Sequence, residues 1–137
     1  MTTRTFLVED NPVFQTRLTE TLQELASVQI VGQEERVDRA CEWLSTYGDD
    51  WDLAIVDLFL ADGSGLSVVD AAQKRFSTQR VIVLSDCASP IVRAKCRALG
   101  ADRVFDKSTQ IDALVDYCAA LPSADGQCPL REARPRS

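Results

Sequence analysis

The acids Glu9, Asp10 and Asp57 and the amine Lys107 each lie at or just past the end of a short apolar run. The runs are Thr5-Phe6-Leu7-Val8, Leu53-Ala54-Ile55-Val56 and Val104-Phe105. If these runs are neighbouring strands, three carboxylates and one ammonium share a pocket. Carboxylates facing one another across a crevice raise each other's proton affinity, and a divalent cation relieves the conflict. Carboxylate, water and carbonyl oxygens suit magnesium, which keeps several waters and bridges carboxylates to a phosphoryl group. In that chemistry Asp57, ending the central run, is the nucleophile toward phosphorus and forms an acyl phosphate. Asp10 is a metal ligand, and Glu9 holds the metal's waters or orients Asp10. Lys107 neutralises the transferred phosphoryl group and pairs with Asp57 when the site is empty. Ser85, closing Val83-Leu84-Ser85, is placed to donate its hydroxyl to a phosphoryl oxygen and so register the phosphate. Taken singly, such residues are most often solvated caps or loop residues; their ordered set is the specific signal.

The elements that must position them follow from periodicity. The runs are short, β-branched and nearly unbroken, as in buried parallel strands. Asn11-Pro12 supplies a cap and a first-turn proline for a helix carrying Phe14, Leu18, Leu22 and Leu25. Val28 to Val31 is a second strand, and Val37, Ala40, Cys41 and Leu44 mark a second helix. After the strand ending at Asp57, Gly63-Ser64-Gly65 breaks the chain before a helix carrying Leu66, Val69 and Phe76. Val81 to Leu84 is the fourth strand, and Pro90 opens a helix that stops at Gly100. The last helix carries Ile111, Leu114, Val115, Cys118 and Ala119, opened by Ser108 or Thr109 with Asp112 available for a capping box. Strand and helix alternating in this way predict an α/β fold: one (βα)5 flavodoxin-like domain with a parallel five-stranded sheet in the order 2-1-3-4-5 and helices on both faces. Strands one and three are then adjacent at the switch point, where Asp10 and Asp57 meet.

At 137 residues the chain fits one domain, read as residues 1–121, with 122–137 an aperiodic Pro/Ser/Gly-containing tail expected to be disordered. No signal region and no membrane-length apolar stretch are read, so a cytoplasmic protein without a membrane partner is expected. Five cysteines without a C-x-x-C pair argue for reduced thiols rather than a disulfide framework or zinc site. The net charge of -6 disfavours direct nucleic-acid binding. The absence of histidine removes serine-histidine and cysteine-histidine nucleophiles and histidine metal sites. It also excludes the role of histidine phosphodonor.

At these residues the chain resembles the receiver domain of two-component response regulators, over about Thr5 to Leu121. Val8-Glu9-Asp10-Asn11 is similar to the family's acidic pair, Ile55-Val56-Asp57 to its phosphoacceptor, and Gly65 to the glycine of the next loop. Val83-Leu84-Ser85 is similar to the Ser/Thr switch, Gly100-Ala101-Asp102 to the turn before strand five, and Lys107 to the lysine. The resemblance implies that Asp57 takes a phosphoryl group from a sensor histidine kinase, a histidine phosphotransfer protein or a small acyl phosphate. The Mg2+ would be held by Asp10, Asp57 and the backbone carbonyl of Phe59, with Glu9 completing the acidic set. It implies further that phosphorylation repacks the fourth helix, fifth strand and fifth helix, where a downstream protein binds. The expected protein is a stand-alone phosphoacceptor, not an enzyme beyond its own phosphorylation and slow dephosphorylation. A phosphate sink or relay and a docking-only receiver are the alternatives, and a homodimer is left open.

The chain departs from that pattern at several places. Ala61 stands where the family often has proline. Val104 takes the place of an aromatic switch residue, with Phe105 one position later. Ser108 follows Lys107 where many members have a proline after a cis peptide; a non-proline cis bond costs about 2.5 to 4 kcal/mol, so this bond is either trans or strained. Asp86 and Cys87 follow the switch serine at the rim, and Asp86 either points inward, disfavouring an anionic donor, or faces solvent. A haloacid dehalogenase-like phosphatase would want a second acid where Phe59 stands, and a flavin or nucleotide carrier would want a Gly/Ser/Thr-rich turn where Glu9-Asp10 stands.

Overall fold

The computed structural model describes residues 3–73, 75–76 and 78–121, and the backbone of 135–136. Five parallel strands, β1 (Thr3–Val8), β2 (Val28–Glu34), β3 (Leu53–Asp57), β4 (Arg80–Ser85) and β5 (Arg103–Asp106), form one sheet in the order β2-β1-β3-β4-β5. Helices α1 (Pro12–Leu25), α2 (Val37–Thr46), α3 (Gly65–Ala71), α4 (Pro90–Ala98) and α5 (Ile111–Ala120) alternate with them. This is the expected doubly wound order. Its register sets Val8 beside Val56, Asp57 beside Leu84 and Ser85 beside Asp106. The carboxyl ends of β1, β3, β4 and β5 therefore finish at one edge, where Asp57 and Ser85 close their strands and Glu9, Asp10 and Lys107 lie just beyond theirs.

Because side chains alternate along a strand, each central strand feeds two cores. Phe6, Val8, Ala54, Val56, Val81, Val83 and Val104 pack with Ala40, Leu44, Val68, Val69 and Cys96 of α2, α3 and α4. Leu7, Leu53, Ile55, Ile82, Leu84 and Phe105 face the other way, against Leu18, Leu22, Leu114, Val115 and Cys118 of α1 and α5. Val104 and Phe105 thus both lie in the core, on opposite faces of the sheet. Cys96 and Cys118 fill core space as small apolar groups, and burial pushes the Cys118 thiol up to about 12. Cys128 lies outside the described residues.

The structure corrects several local expectations. Leu25 is exposed and Ala26 is buried instead, since a stripe advancing by four through Phe14, Leu18 and Leu22 continues to residue 26. Strand β2 runs on to Glu34, because β1 pairs with it as far as Val8. Phe76 is not on the third helix: α3 ends at Ala71, where the Arg75 guanidinium takes the Ala72 carbonyl (2.9 Å), and Arg75–Phe76 is extended. That dipeptide pairs antiparallel with Pro135–Arg136; the other tail positions, 122–134 and 137, lie outside the described residues. Helix α5 is not opened by Ser108 or Thr109. Its N-cap is Gln110, without a side-chain capping bond, because the amides of Ser108 and Thr109 are taken by Asp106.

At the amino ends of the strands, two polar clasps tie the connections down. Asp52 accepts from the backbone (2.8 Å) and guanidinium of Arg4. Arg75, buried, donates to the carbonyls of Ala72, Gln79 and Gly100 and to Asp102 (3.0 Å), whose carboxylate also accepts from the Val81 amide.

Candidate functional site

Strand β1 delivers Glu9 and Asp10, β3 delivers Asp57, and the turn after β5 delivers Lys107. One carboxylate oxygen from each of the three acids lies within 4.8 Å of the others. Glu9 is 1% exposed and Asp57 5%, while Asp10 is half-buried. The Lys107 Nζ donates to Glu9 Oε1 at 2.9 Å and to Asp57 Oδ2 at 3.3 Å, and it stands 4.3 Å from the centre of the Phe14 ring. The expected Lys107–Asp57 pair is present, but its shorter bond goes to Glu9. The other oxygen of Glu9 accepts from the Asn11 amide (3.0 Å). Asn11 in turn caps α1 by accepting from the amides of Val13 and Phe14.

Burial pushes the Asp57 carboxyl up to about 7, and the neighbouring Glu9 charge adds to the rise against the pull of Lys107. For Lys107, burial works to lower the proton affinity, but the hydrogen bond to Glu9 and the charges of Asp57 and Glu9 leave it above the ordinary lysine value. Among the described residues, one ammonium, that of Lys107, therefore shares two buried carboxylates, with a third beside them. That donor set fits a hard divalent cation with oxygen ligands: the carboxylates converge, and one positive charge does not balance them.

The loop after Asp57 turns back as a hairpin, Phe59–Leu60 against Gly63–Ser64. The Phe59 amide approaches Asp57 Oδ1 at 3.4 Å. Gly65 closes the loop by donating to the Leu58 carbonyl (2.6 Å), and a Cβ at that position would run into the Asp57 carbonyl. The glycine is required by space, since its backbone falls outside the left-handed region. Asp62, in the same hairpin, accepts from the amides of Val37 (2.7 Å) and Asp38 and so caps α2 from a distance. Those backbone bonds hold its carboxyl below the usual aspartate range.

Ser85, fully buried, exchanges hydrogen bonds with the backbone of Cys87: its Oγ donates to the carbonyl and accepts from the amide, both at 3.2 Å. Of the residues marked in the sequence, the structure brings Glu9, Asp10, Asp57 and Lys107 together and ties Ser85 to Lys107 through the backbone, while Phe14, the surface beneath Lys107, was not marked. Nor were Asp106, Gln110 and Arg93, whose side chains bind the surrounding loops. Phe14 could be read only as a core position of α1, and the other three had no pattern to mark them.

With this geometry in view, comparison with protein families matches residues 5–119 to the response regulator receiver domain. The chain belongs to this family. Receiver domains are phosphoacceptor signalling domains that bind Mg2+ at an acidic pocket and interact with histidine kinases and downstream proteins. Among solved structures, a LuxR-family two-component response regulator from Aurantimonas is similar at a TM-score of 0.76 and 18% identity, covering 92% of this chain and 93% of that one. The response regulator domain of Thermotoga maritima CheB gives 0.75 and 15%, covering 88% and 96%. The CheX–CheY–BeF3–Mg2+ complex from Borrelia burgdorferi gives 0.72 and 15%, covering 83% and 84%. Comparison with curated protein sequences returned no match.

Around the receiver pocket, Phe59 is 63% exposed, and Asp86 and Cys87 are exposed as well. No peptide bond among the described residues is cis, so Lys107–Ser108 is trans. No described helix is long and apolar enough to cross a membrane.

Proposed function

We propose that this receiver domain accepts a phosphoryl group on Asp57 from a phosphohistidine of a sensor kinase or phosphotransfer protein, or from a small acyl phosphate. A carboxylate oxygen of Asp57 attacks phosphorus as the phosphorus–nitrogen bond breaks; the electron pair stays on the imidazole nitrogen, which takes up a proton. The product is an acyl phosphate. Mg2+ would be held by Asp10, Asp57 and the Phe59 carbonyl, with Glu9 beside them, and when bound it supplies charge neutralisation for the transferring oxygens. Lys107 turns its ammonium from Glu9 and Asp57 to a phosphoryl oxygen. Ser85 gives up its bond to the Cys87 carbonyl to donate to another. The movement of Ser85 would draw in the Asp86–Ser89 loop ahead of α4, and the face of α4, β5 and α5 would then bind a downstream protein. The reading is of a cytoplasmic protein, in keeping with thiols that form no paired motif.

The observation that carries this reading is the bridging of Glu9 and Asp57 by Lys107 beside Asp10, from three strand ends. The structure of CheY with BeF3 and Mg2+ lends support, since that protein shares the fold. The test is phosphate incorporation from acetyl phosphate, with and without magnesium, followed by intact mass in the parent and in Asp57→Asn. A magnesium-dependent gain of one phosphoryl group, lost in Asp57→Asn, is expected. No gain from acetyl phosphate and none from a cognate kinase would leave the docking-only alternative.

A further inference from the structure

Lys107 sits in a short connection between β5 and α5 that has no regular structure to hold an ammonium in place. The side chain before it orders that connection. Asp106 Oδ1 accepts from the Ser108 amide (2.8 Å), the Ser108 hydroxyl (2.6 Å) and the Thr109 amide (3.2 Å). Its Oδ2 faces the Ala88 amide at 3.5 Å, in the loop that follows Ser85. The Asp106 amide donates to Gln110 Oε1 (2.9 Å). That oxygen also accepts from Arg93 Nη2 (2.7 Å), and Arg93 donates onward to the carbonyls of Ala88 (2.8 Å) and Val104 (2.7 Å). The amide of Lys107 itself donates to the Ser85 carbonyl (2.9 Å).

These bonds fix the backbone on both sides of Lys107 and leave its side chain to span to Glu9 and Asp57. They exceed what starting α5 requires. Gln110 is the N-cap of that helix, and the amides of Ser108, Thr109 and Ala88 and the Ser108 hydroxyl, which donate to the carboxylate of Asp106, all precede it. A trans peptide followed by serine gives the connection no stiffness of its own, since serine leaves φ free where proline would lock it. The hydroxyl and amide bonds to one carboxylate supply the stiffness instead.

We propose that Asp106 is a positioning residue for phosphoryl transfer: it holds the Lys107 turn so that the ammonium enters the pocket, and it joins that turn to the Ser85 loop. The inference rests on the role given to Lys107 in the phosphoacceptor reading. It predicts that Asp106 acts through Lys107, so the two substitutions will not multiply.

The experiment measures the initial rate of magnesium-dependent phosphorylation by acetyl phosphate, by intact mass, in the parent, Asp106→Ala, Asp106→Asn, Lys107→Ala and the double alanine variant. Asp106→Ala is expected to slow the reaction roughly tenfold, the scale of a misplaced charge-stabilising group. Asp106→Asn should recover most of that loss, because an amide oxygen still accepts from Ser108. The double variant should react no more slowly than Lys107→Ala. Parent-like rates in Asp106→Ala, or losses that multiply in the double variant, would overturn the inference. A Lys107→Ala rate equal to the parent's would overturn the reading beneath it, and the inference would fall with it. Should Asp106→Ala not fold, Ser108→Ala removes the shortest of these bonds and enters the same comparison, with a loss confined to the Lys107 background expected again.

Discussion

Asp57 is held in the folded protein at a cost that its own chemistry explains. It is buried, it faces Glu9, and the ammonium that should compensate it is bonded more closely to Glu9. Burial and Glu9 together raise its pKa from 3.8 to about 7. The folded state therefore binds this proton more tightly than the unfolded chain does. The stabilisation from that proton is complete below pH 3.8 and is lost as pH rises through about 7, where the fold must keep an ionised carboxylate. The full rise corresponds to roughly 4 kcal/mol at most. Asp57→Asn removes the charge, so in the absence of metal it should be more stable than the parent by about 1 to 4 kcal/mol at pH 8, an advantage that shrinks toward pH 4. Urea unfolding at both pH values checks the sign and the trend. Magnesium should raise the stability of the parent at pH 8 and leave Asp57→Asn nearly unchanged; equal responses would remove Asp57 from the ligand set.

At the scale of elements, strand ends and the connections that follow them hold the site together. The hairpin after Asp57 packs so closely that Gly65 leaves no room for a Cβ beside the Asp57 carbonyl. Gly65→Ala must displace either α3 or the backbone of Asp57 itself. We expect a loss of about 1 to 3 kcal/mol, as for overpacking elsewhere, together with slower phosphorylation, because the displaced atoms belong to Asp57, the residue proposed to accept the phosphoryl group. Thermal unfolding and intact-mass labelling of the same sample test both halves. The division between elements and the junctions joining them decides what could be read in advance. Strands and helix faces were legible because burial imposes periods of 2 and 3.6 on neighbouring residues, and the acids were legible because they end those periods. Junctions were not. Leu25 and Ala26 differ by one step of helical rotation, Phe76 lies beyond a helix that Arg75 brings to an end, and Gln110 caps α5 because Asp106 had already claimed the amides of Ser108 and Thr109. In the site, the Glu9–Lys107 bond joins residues 98 positions apart, and no local pattern ranks it above the Asp57 pair.

Across the whole molecule, the proposed phosphoacceptor site and the polar clasps sit at opposite ends of the sheet. Asp57 and Ser85 close β3 and β4 and Lys107 follows β5, whereas Arg75 and Asp102 precede the amino ends of β4 and β5. The Arg75 side chain is 1% exposed and Asp102 12%, and the two meet at 3.0 Å. Asp102 also accepts the Val81 amide, and Arg75 gathers the Ala72, Gln79 and Gly100 carbonyls, so the pair binds α3, β4, the end of α4 and β5 into one corner. Removing one partner leaves a largely buried charge and several unsatisfied carbonyls, which typically costs about 3 to 5 kcal/mol. Arg75→Ala should therefore lower the denaturation midpoint strongly. Its magnesium-dependent phosphorylation, measured well below that midpoint, should match the parent, because the clasp bonds described above join Ala72, Gln79, Gly100 and Val81, ahead of or at the amino ends of β4 and β5. A matching loss of phosphorylation in fully folded Arg75→Ala would mean that the sheet transmits strain from one end to the other, and the separation of the two ends would have to be abandoned.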